Sequence, residues 1–375
     1  METTPAPVPP AERQVRLDGL RAVAILLVMV HHFRHLPGCP EWLRWFGLRG
    51  YVGVDVFFVL SGWLVGGQAV RALRRDGRLD VRAFYLRRWM RTLPLYWAVA
   101  LVLGAVGMLR LSTAWALPLF LQNYVAPADW LITWSLCVEE HFYLVLPWVA
   151  WGVYALGRRH PRVAVAAVVF LVALSPAWRW LKFDAMTHGS YVDFLKLFYV
   201  PTHLRLEGLV IGVACAAQAA SSSRVWMRLC AHRSGAAVAG FALAVGSVWN
   251  PWLTGTDAGG AARMAFFSAV PQFLLVSAGV ALMLPWGAER IPAAGWVARV
   301  STWIAEHAYG AYLVHDLLRD PVQRALAPRQ LPFWAVLFAC FTASFAVAAG
   351  ARFLVEKPGL KLRDRWLASR AARDG

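Results

Sequence analysis

Charge is scarce in this chain. Only 16% of its 375 residues are Asp, Glu, Lys or Arg, 59% are hydrophobic, and the mean hydropathy is +0.49. A soluble domain of this length needs more charge on its surface, so the composition argues for a protein with many membrane spans. Acid is scarcer still: 21 acidic residues stand against 38 Lys and Arg, a formal net charge of +17. The arginines are spread over loops between apolar stretches without any nucleic-acid-binding module, so no nucleic-acid partner is expected. The excess base reads instead as the positive bias of inner loops. Cysteine is sparse and scattered, at Cys39, Cys137, Cys215, Cys230 and Cys340, with no C-x-x-C pair and no His/Cys ligand cluster. Neither a disulfide framework nor a metal site is indicated. Internal repeats and coiled-coil heptads are lacking, as is an obvious small-residue cleavage site after the first apolar stretch.

What is present is a series of ten apolar stretches of about bilayer-spanning length, at 17–36, 51–70, 91–109, 134–156, 162–178, 198–219, 236–252, 264–286, 302–318 and 332–355. The expected fold is an all-α polytopic transmembrane helix bundle of about ten spans, in the inner cell membrane. Placing the N-terminus inside and alternating concentrates Lys and Arg in the inner loops, which gives an N-in, C-in topology. Residues 1–14 are Pro-rich and read as a disordered cytoplasmic N-terminus, 15–358 as the transmembrane domain, and 359–375 as a basic cytoplasmic tail on the inner surface. The outer segment 110–133 holds too short an apolar run for an extra span. It suits an interfacial or re-entrant helix, with Trp115, Tyr124, Trp130 and Trp134 at headgroup level.

Ionisable residues inside spans are costly, by a few kcal/mol at mid-depth on insertion scales, and so they draw attention to function. The first span carries Asp18, Arg21, His31 and His32. At about 100° per residue, the step from Arg21 to His32 closes three turns with roughly 20° left over, and Asp18 lies roughly 60° from Arg21. One helix face thus holds an acid, a guanidinium and an imidazole, with Arg21 and His32 about 16 Å apart along the axis; His31 points roughly 80° away. In the second span, Gly50, Gly53, Gly62, Gly66 and Gly67 suit close helix packing, whereas Asp55 wants a partner and His32 lies at similar depth.

Eight arginines fall between Arg71 and Arg91. Arg88 and Arg91 share a helical face at the membrane edge, and guanidinium forks bind phosphate bidentately. An anionic cytosolic donor such as a coenzyme A thioester fits this cluster; a phospholipid headgroup is the plainer occupant. The fourth span opens WSLCVEEHFY, where Glu139, Glu140 and His141 cannot share one face. The sixth carries His203, Arg205 and Glu207, of which the last two can compensate each other. His307, His315 and Glu356 come late in the chain, and a histidine at a span end is more often structural.

Taken together, these residues resemble the integral-membrane acyltransferase-3 family. LDGLRAVAI followed by His32 is similar to its first-helix Arg-x10-His, here Arg21 and His32. FFVLSG is similar to its second-helix signature, Arg88-x-x-Arg91 with LPLYW to its basic third-helix entry, and WSLCVEEHFY to its WSLxxE-x-x-FY segment, while YGAYLVH and EKP are similar to its closing motifs. The resemblance runs from Val15 to Pro358 and implies transfer of an acyl group, often acetyl, from acyl-CoA to a hydroxyl of a glycan, glycolipid or small metabolite. It implies Arg21, Arg88, Arg91 and Ser61 as donor-binding residues, and His32 as general base with Asp55 or Glu139 orienting it; an acyl-histidine route stays open. An imidazole with an unperturbed pKa near 6.5 suits base catalysis around neutral pH. The chain departs from the family at His141, usually Gln, a change with scope to alter acceptor or acyl preference. It also shows no SGNH-type domain, so either it transfers directly or a separate protein completes the transfer. Two other classes fit the intramembrane charges: a transporter or flippase of an anionic glycolipid or acyl carrier, and a non-catalytic scaffold.

Overall fold

The computed structural model describes residues 14–110, 112–125, 130–183, 195–248, 267–268, 270–291 and 295–374. Among them every regular element is helical. In chain order the principal helices are α1 (Val15–Phe33), α2 (Glu41–Gly47), α3 (Gly53–Ser61), α4 (Gly67–Asp76), α5 (Val81–Ala105), α6 (Trp134–Arg159), α7 (Pro161–Leu181), α8 (Glu207–Ala220), α9 (Arg224–Ala231), α10 (Arg233–Val248), α11 (Gln272–Gly287), α12 (Gly295–Leu326), α13 (Phe333–Ala351) and α14 (Lys357–Asp374). The expected disordered segment before Gln14 lies outside the described residues.

Local chemistry sets several boundaries. Gly77, at φ +67°, ends α4 in the left-handed conformation that costs glycine little, and its N–H donates to Leu73 O at 3.0 Å. Three residues later the Asp80 carboxylate caps α5 by accepting from Ala83 N at 3.0 Å. Between α3 and α4 the helix widens through a π-type turn at Gly62–Gly66, so that Glu41–Asp76 runs as one helical stretch. Close approach of backbones explains the glycines here. A Cβ on Gly62 would stand 2.1 Å from Leu209 O of α8, and one on Gly53 would stand 2.3 Å from Ala24 O of α1.

Three helical stretches are long and apolar enough to cross a membrane: Glu41–Asp76, Pro161–Leu181 and Phe333–Arg370. A fourth is obtained if α9 and α10, bent by 92° at their junction, count as one span. Buried charge lies within these stretches too, Asp55 in the first and Arg179 in the second. Helix α12 packs along α1 and α13, α1 along α3, and α3 along α8. The main buried cluster draws on α1, α3, α5, α6, α12 and α13.

Two regions differ from the sequence-based expectation. Trp130 and Trp134, placed at headgroup level above, turn inward: Trp130 is 4% exposed and stacks on Tyr96 with ring centroids 5.3 Å apart. The segment before them folds as short turns at Ala114–Ala116 and Gln122–Val125 that cover this aromatic core; Trp115 and Tyr124 stay exposed. The chain around His203 is not inside a continuous span. It is a broken entry, with a wide turn at Leu195–Tyr199 and a 3-10 turn at Thr202–Leu204 before α8 begins at Glu207.

Candidate active site

Helices α1, α3, α5, α6, α12 and α14 surround a cavity of about 330 Å³ whose wall holds Arg21, Ser61, Arg88, Arg91 and Glu139 together. Five residues singled out from four separate motifs therefore face one space. Arg88 is the hub. Its Nη2 donates to Glu139 Oε2 at 2.6 Å, its Nε lies 3.3 Å from Glu140 Oε1, and its guanidinium stands 4.4 Å from the Tyr143 ring centre. Ser61 Oγ donates to the other Glu139 oxygen at 2.7 Å, so this carboxylate ties α3 and α5 to α6. Thr92 Oγ1 donates to Glu140 Oε1 at 3.3 Å. Arg21 pairs with Asp18 one turn earlier, at 3.1 Å. Arg87 and Arg91 also line the cavity; among the described residues neither makes a hydrogen bond or an ion pair within 4 Å, and the attraction on Arg91 comes from Glu356.

The far wall is built by α12. Tyr309 O–H donates to Thr92 O at 2.7 Å, pinning α12 to α5. Tyr312 O–H donates to Ile132 O at 2.6 Å, so in its 2.6 Å contact with Ser135 it is Ser135 that donates. One turn beyond Tyr312 lies His315, and through it His32, which is not itself part of the cavity wall.

The imidazole pair has a readable tautomer. His315 Nδ1 faces two backbone carbonyls, Tyr312 O at 2.8 Å and Ala311 O at 3.1 Å, so Nδ1 carries the proton and Nε2 accepts. His32 Nδ1 lies 3.0 Å from that Nε2 and 2.9 Å from Val28 O, two acceptors, so it too carries the proton. His32 Nε2 is left with its lone pair. This is the arrangement in which an oriented histidine serves as a base.

His315 was not singled out with His32, and its partnership was invisible in the sequence because 283 positions separate the two. The carboxylates expected to orient His32 lie elsewhere. Glu139 is bound to Arg88 and Ser61, as above. Asp55 Oδ1 accepts from Arg205 Nη2 at 2.7 Å, in a cluster where Arg205 is fully buried and lies 3.7 Å from the Phe273 ring centre. Glu207 makes its direct ion pair with Arg179, at 2.7 Å, while its charge still acts on Arg205 as expected. Residues on a broken entry face different neighbours than they would on one regular helix. His31 Nδ1 is held at Gly47 O, 2.9 Å away, where it joins α1 to α2.

His141 faces away from the cavity. Two residues from Glu139 is roughly 200° around a helix. It therefore borders a second, apolar groove of about 590 Å³ between α4, α6, α7 and α8, with its Nδ1 2.9 Å from Thr202 Oγ1.

The chain is 27% identical over 381 residues to YrhL of Bacillus subtilis, provisionally named a peptidoglycan O-acetyltransferase; the match covers 91% of this chain and 54% of that protein. It is 25% identical over 221 residues to the peptidoglycan O-acetyltransferase OatA of Listeria monocytogenes, covering 53% of this chain and 33% of OatA. For the O-acetyltransferase OatA of Staphylococcus aureus the figures are 27% over 218 residues, 52% and 33%. The chain thus spans at most about half the length of these curated relatives. No solved structure matches it. The family model described as an acyltransferase domain matches residues 14–352, nearly the whole chain and every residue of the cavity wall except Arg363, and the protein therefore belongs to the acyltransferase-3 family.

Proposed function

We propose that the protein is a multi-pass inner-membrane O-acyltransferase that moves an acetyl group from acetyl-CoA to a carbohydrate hydroxyl. The supporting observation is the cavity itself: Arg87 and Arg91, which make no ion pair within 4 Å among the described residues, share it with Arg88. Guanidinium groups facing a void are arranged for phosphate, and a coenzyme A thioester carries a diphosphate and a ribose phosphate. With about ten crossings and both termini inside, the topology that the loop charges favour, these arginines come at the cytosolic edge. The pantetheine arm then extends along α12 past Arg21 and Ser61 toward Tyr312, and the next turn presents His315 and His32.

In the transfer, His32 Nε2 takes the proton of the acceptor hydroxyl as its oxygen attacks the thioester carbonyl. The C–S bond breaks, and the imidazolium returns the proton to the leaving thiolate. His315 holds the base in its productive tautomer. Glu139 acts on the donor side by fixing Arg88 and Ser61. Asp55 serves the fold around Arg205. The relatives' names make a peptidoglycan sugar the first acceptor to test.

Purified protein in lipid nanodiscs, given radiolabelled acetyl-CoA and peptidoglycan fragments, tests this through label transfer and thiol release. His32→Ala should lose about 10²–10⁴-fold in turnover, the usual contribution of a general base, while melting as the parent does. His315→Leu should lower kcat more than KM, and His315→Gln, whose amide oxygen can accept the same bond, should restore part of it. Near-normal turnover of His32→Ala would overturn the assignment.

A further inference from the structure

The cavity has one wall that the family match does not reach. Helix α14, Lys357–Asp374, lies beyond residues 14–352, yet its Arg363 lines the cavity with Arg87, Arg88 and Arg91. The sequence presents this segment only as a basic surface tail. In the structure it continues α13 through a wide turn at Arg352–Glu356 and then lies against α5.

Two contacts fix its register. The backbone at Gly359 sits against the middle of α5, where a Cβ would meet Met90 O at 3.3 Å and Pro94 Cγ at 3.5 Å. Eleven residues on, Arg370 pairs with Asp80, the cap of α5, at 3.4 Å. The two helices are therefore antiparallel, and with equal rise per residue Arg363 falls level with Arg87 and Arg88. It is 21% exposed at its side chain, and its partner is its own neighbour Asp364, at 2.8 Å and 64% exposed. An exposed pair of this kind is weak and yields readily to a phosphate.

We propose that Arg363 forms a subsite for the terminal phosphate of the donor, the ribose 3′-phosphate of acyl-CoA, and that α14 is in this way part of the binding site. The inference rests on the acyl-CoA reading above. The pantetheine end points inward toward Tyr312, so the adenosine end is outermost, at the rim where α14 meets α5. Arg88, held toward α6 by Glu139, and Arg91, one turn deeper along α5, are left for the diphosphate.

The test compares acetyl-CoA with its 3′-dephospho analogue on the full chain in nanodiscs, reading thiol release together with direct CoA binding by calorimetry. The parent should favour acetyl-CoA by about tenfold in kcat/KM, the scale of one charge-assisted bidentate contact. Arg363→Ala should raise KM for acetyl-CoA by about tenfold, with the effect seen in KM rather than kcat, and abolish the preference. Arg363→Lys should recover part of it. Arg365→Ala, on the exposed face of the same helix and outside the cavity wall, should leave both quantities at parent values. An unchanged preference in Arg363→Ala overturns the subsite while leaving acyl-CoA as donor. Absence of CoA binding by the parent overturns the donor reading, and the subsite with it.

Discussion

Two buried clusters of arginine and carboxylate among the described residues have different surroundings. In the first, Arg205 pairs with Asp55 and Arg179 with Glu207; both arginine side chains are 0% exposed and neither carboxylate exceeds 3%. Arg205 is packed among the rings of Phe273, Tyr199 and Trp134, and Arg179 Nη2 donates to Val270 O at 3.0 Å. Two cations meet two anions, all four side chains shut off from solvent. In the second cluster Arg88 meets Glu139 and Glu140 at the edge of a cavity, and Arg87 and Arg91, which make no ion pair within 4 Å among the described residues, face the same space. Equal numbers of opposite charges in a sealed site hold helices in place. Spare cations beside a void are arranged for an anion that comes and goes.

This contrast is easiest to break at the sealed cluster, where the largest effect is expected. Arg205→Ala strands Asp55 in the interior, and removing one member of a buried pair typically costs about 3–5 kcal/mol. That is a large part of a folded protein's margin of about 5–15 kcal/mol. The variant should yield little folded protein, read by detergent-phase gel filtration and melting. A well-folded but inactive Arg205→Ala would move the cluster from architecture to chemistry and end the distinction.

The open cluster should behave in the opposite way. Glu139→Gln leaves Arg88 its second carboxylate, Glu140, and an amide oxygen still within reach of Ser61. The protein should stay folded, with a melting temperature near the parent's. Turnover should fall about 10²-fold, as for other preorganised groups that hold reacting partners in register. Loss of folding here, with activity tracking the folded fraction, would make Glu139 another brace.

The sequence exposed one side of this contrast better than the other. Helical periodicity puts Asp18, Arg21 and His32 on one face of α1, and the i, i+3 step does the same for Arg88 and Arg91, because each relation lies within a single helix. Which helices become neighbours is a tertiary fact. Asp55 was matched to His32 by depth alone, while its partner Arg205 sits on a broken entry whose geometry no 3.6-residue period describes. His315 is joined to His32 only because α12 packs along α1. Arg363 was hidden for a different reason: a basic stretch after the last apolar run has the composition of a surface tail whether or not it folds back on α5.

The smallest effect is expected on the far side of α6. His141 is two residues from Glu139 but borders the apolar groove, where its Nδ1 meets Thr202 Oγ1. Glutamine can make the same contact through either end of its amide. His141→Gln should therefore leave kcat and KM for acetyl-CoA within about twofold, within the few tenths of a kcal/mol usual for substitutions that keep their contacts. The same variant assayed with acetyl-, propionyl- and butyryl-CoA should keep the parent's order of preference. A tenfold change in any of these would mean that the groove and the cavity act as one site across α6, and that a residue's facing on this helix does not decide which of the two it serves.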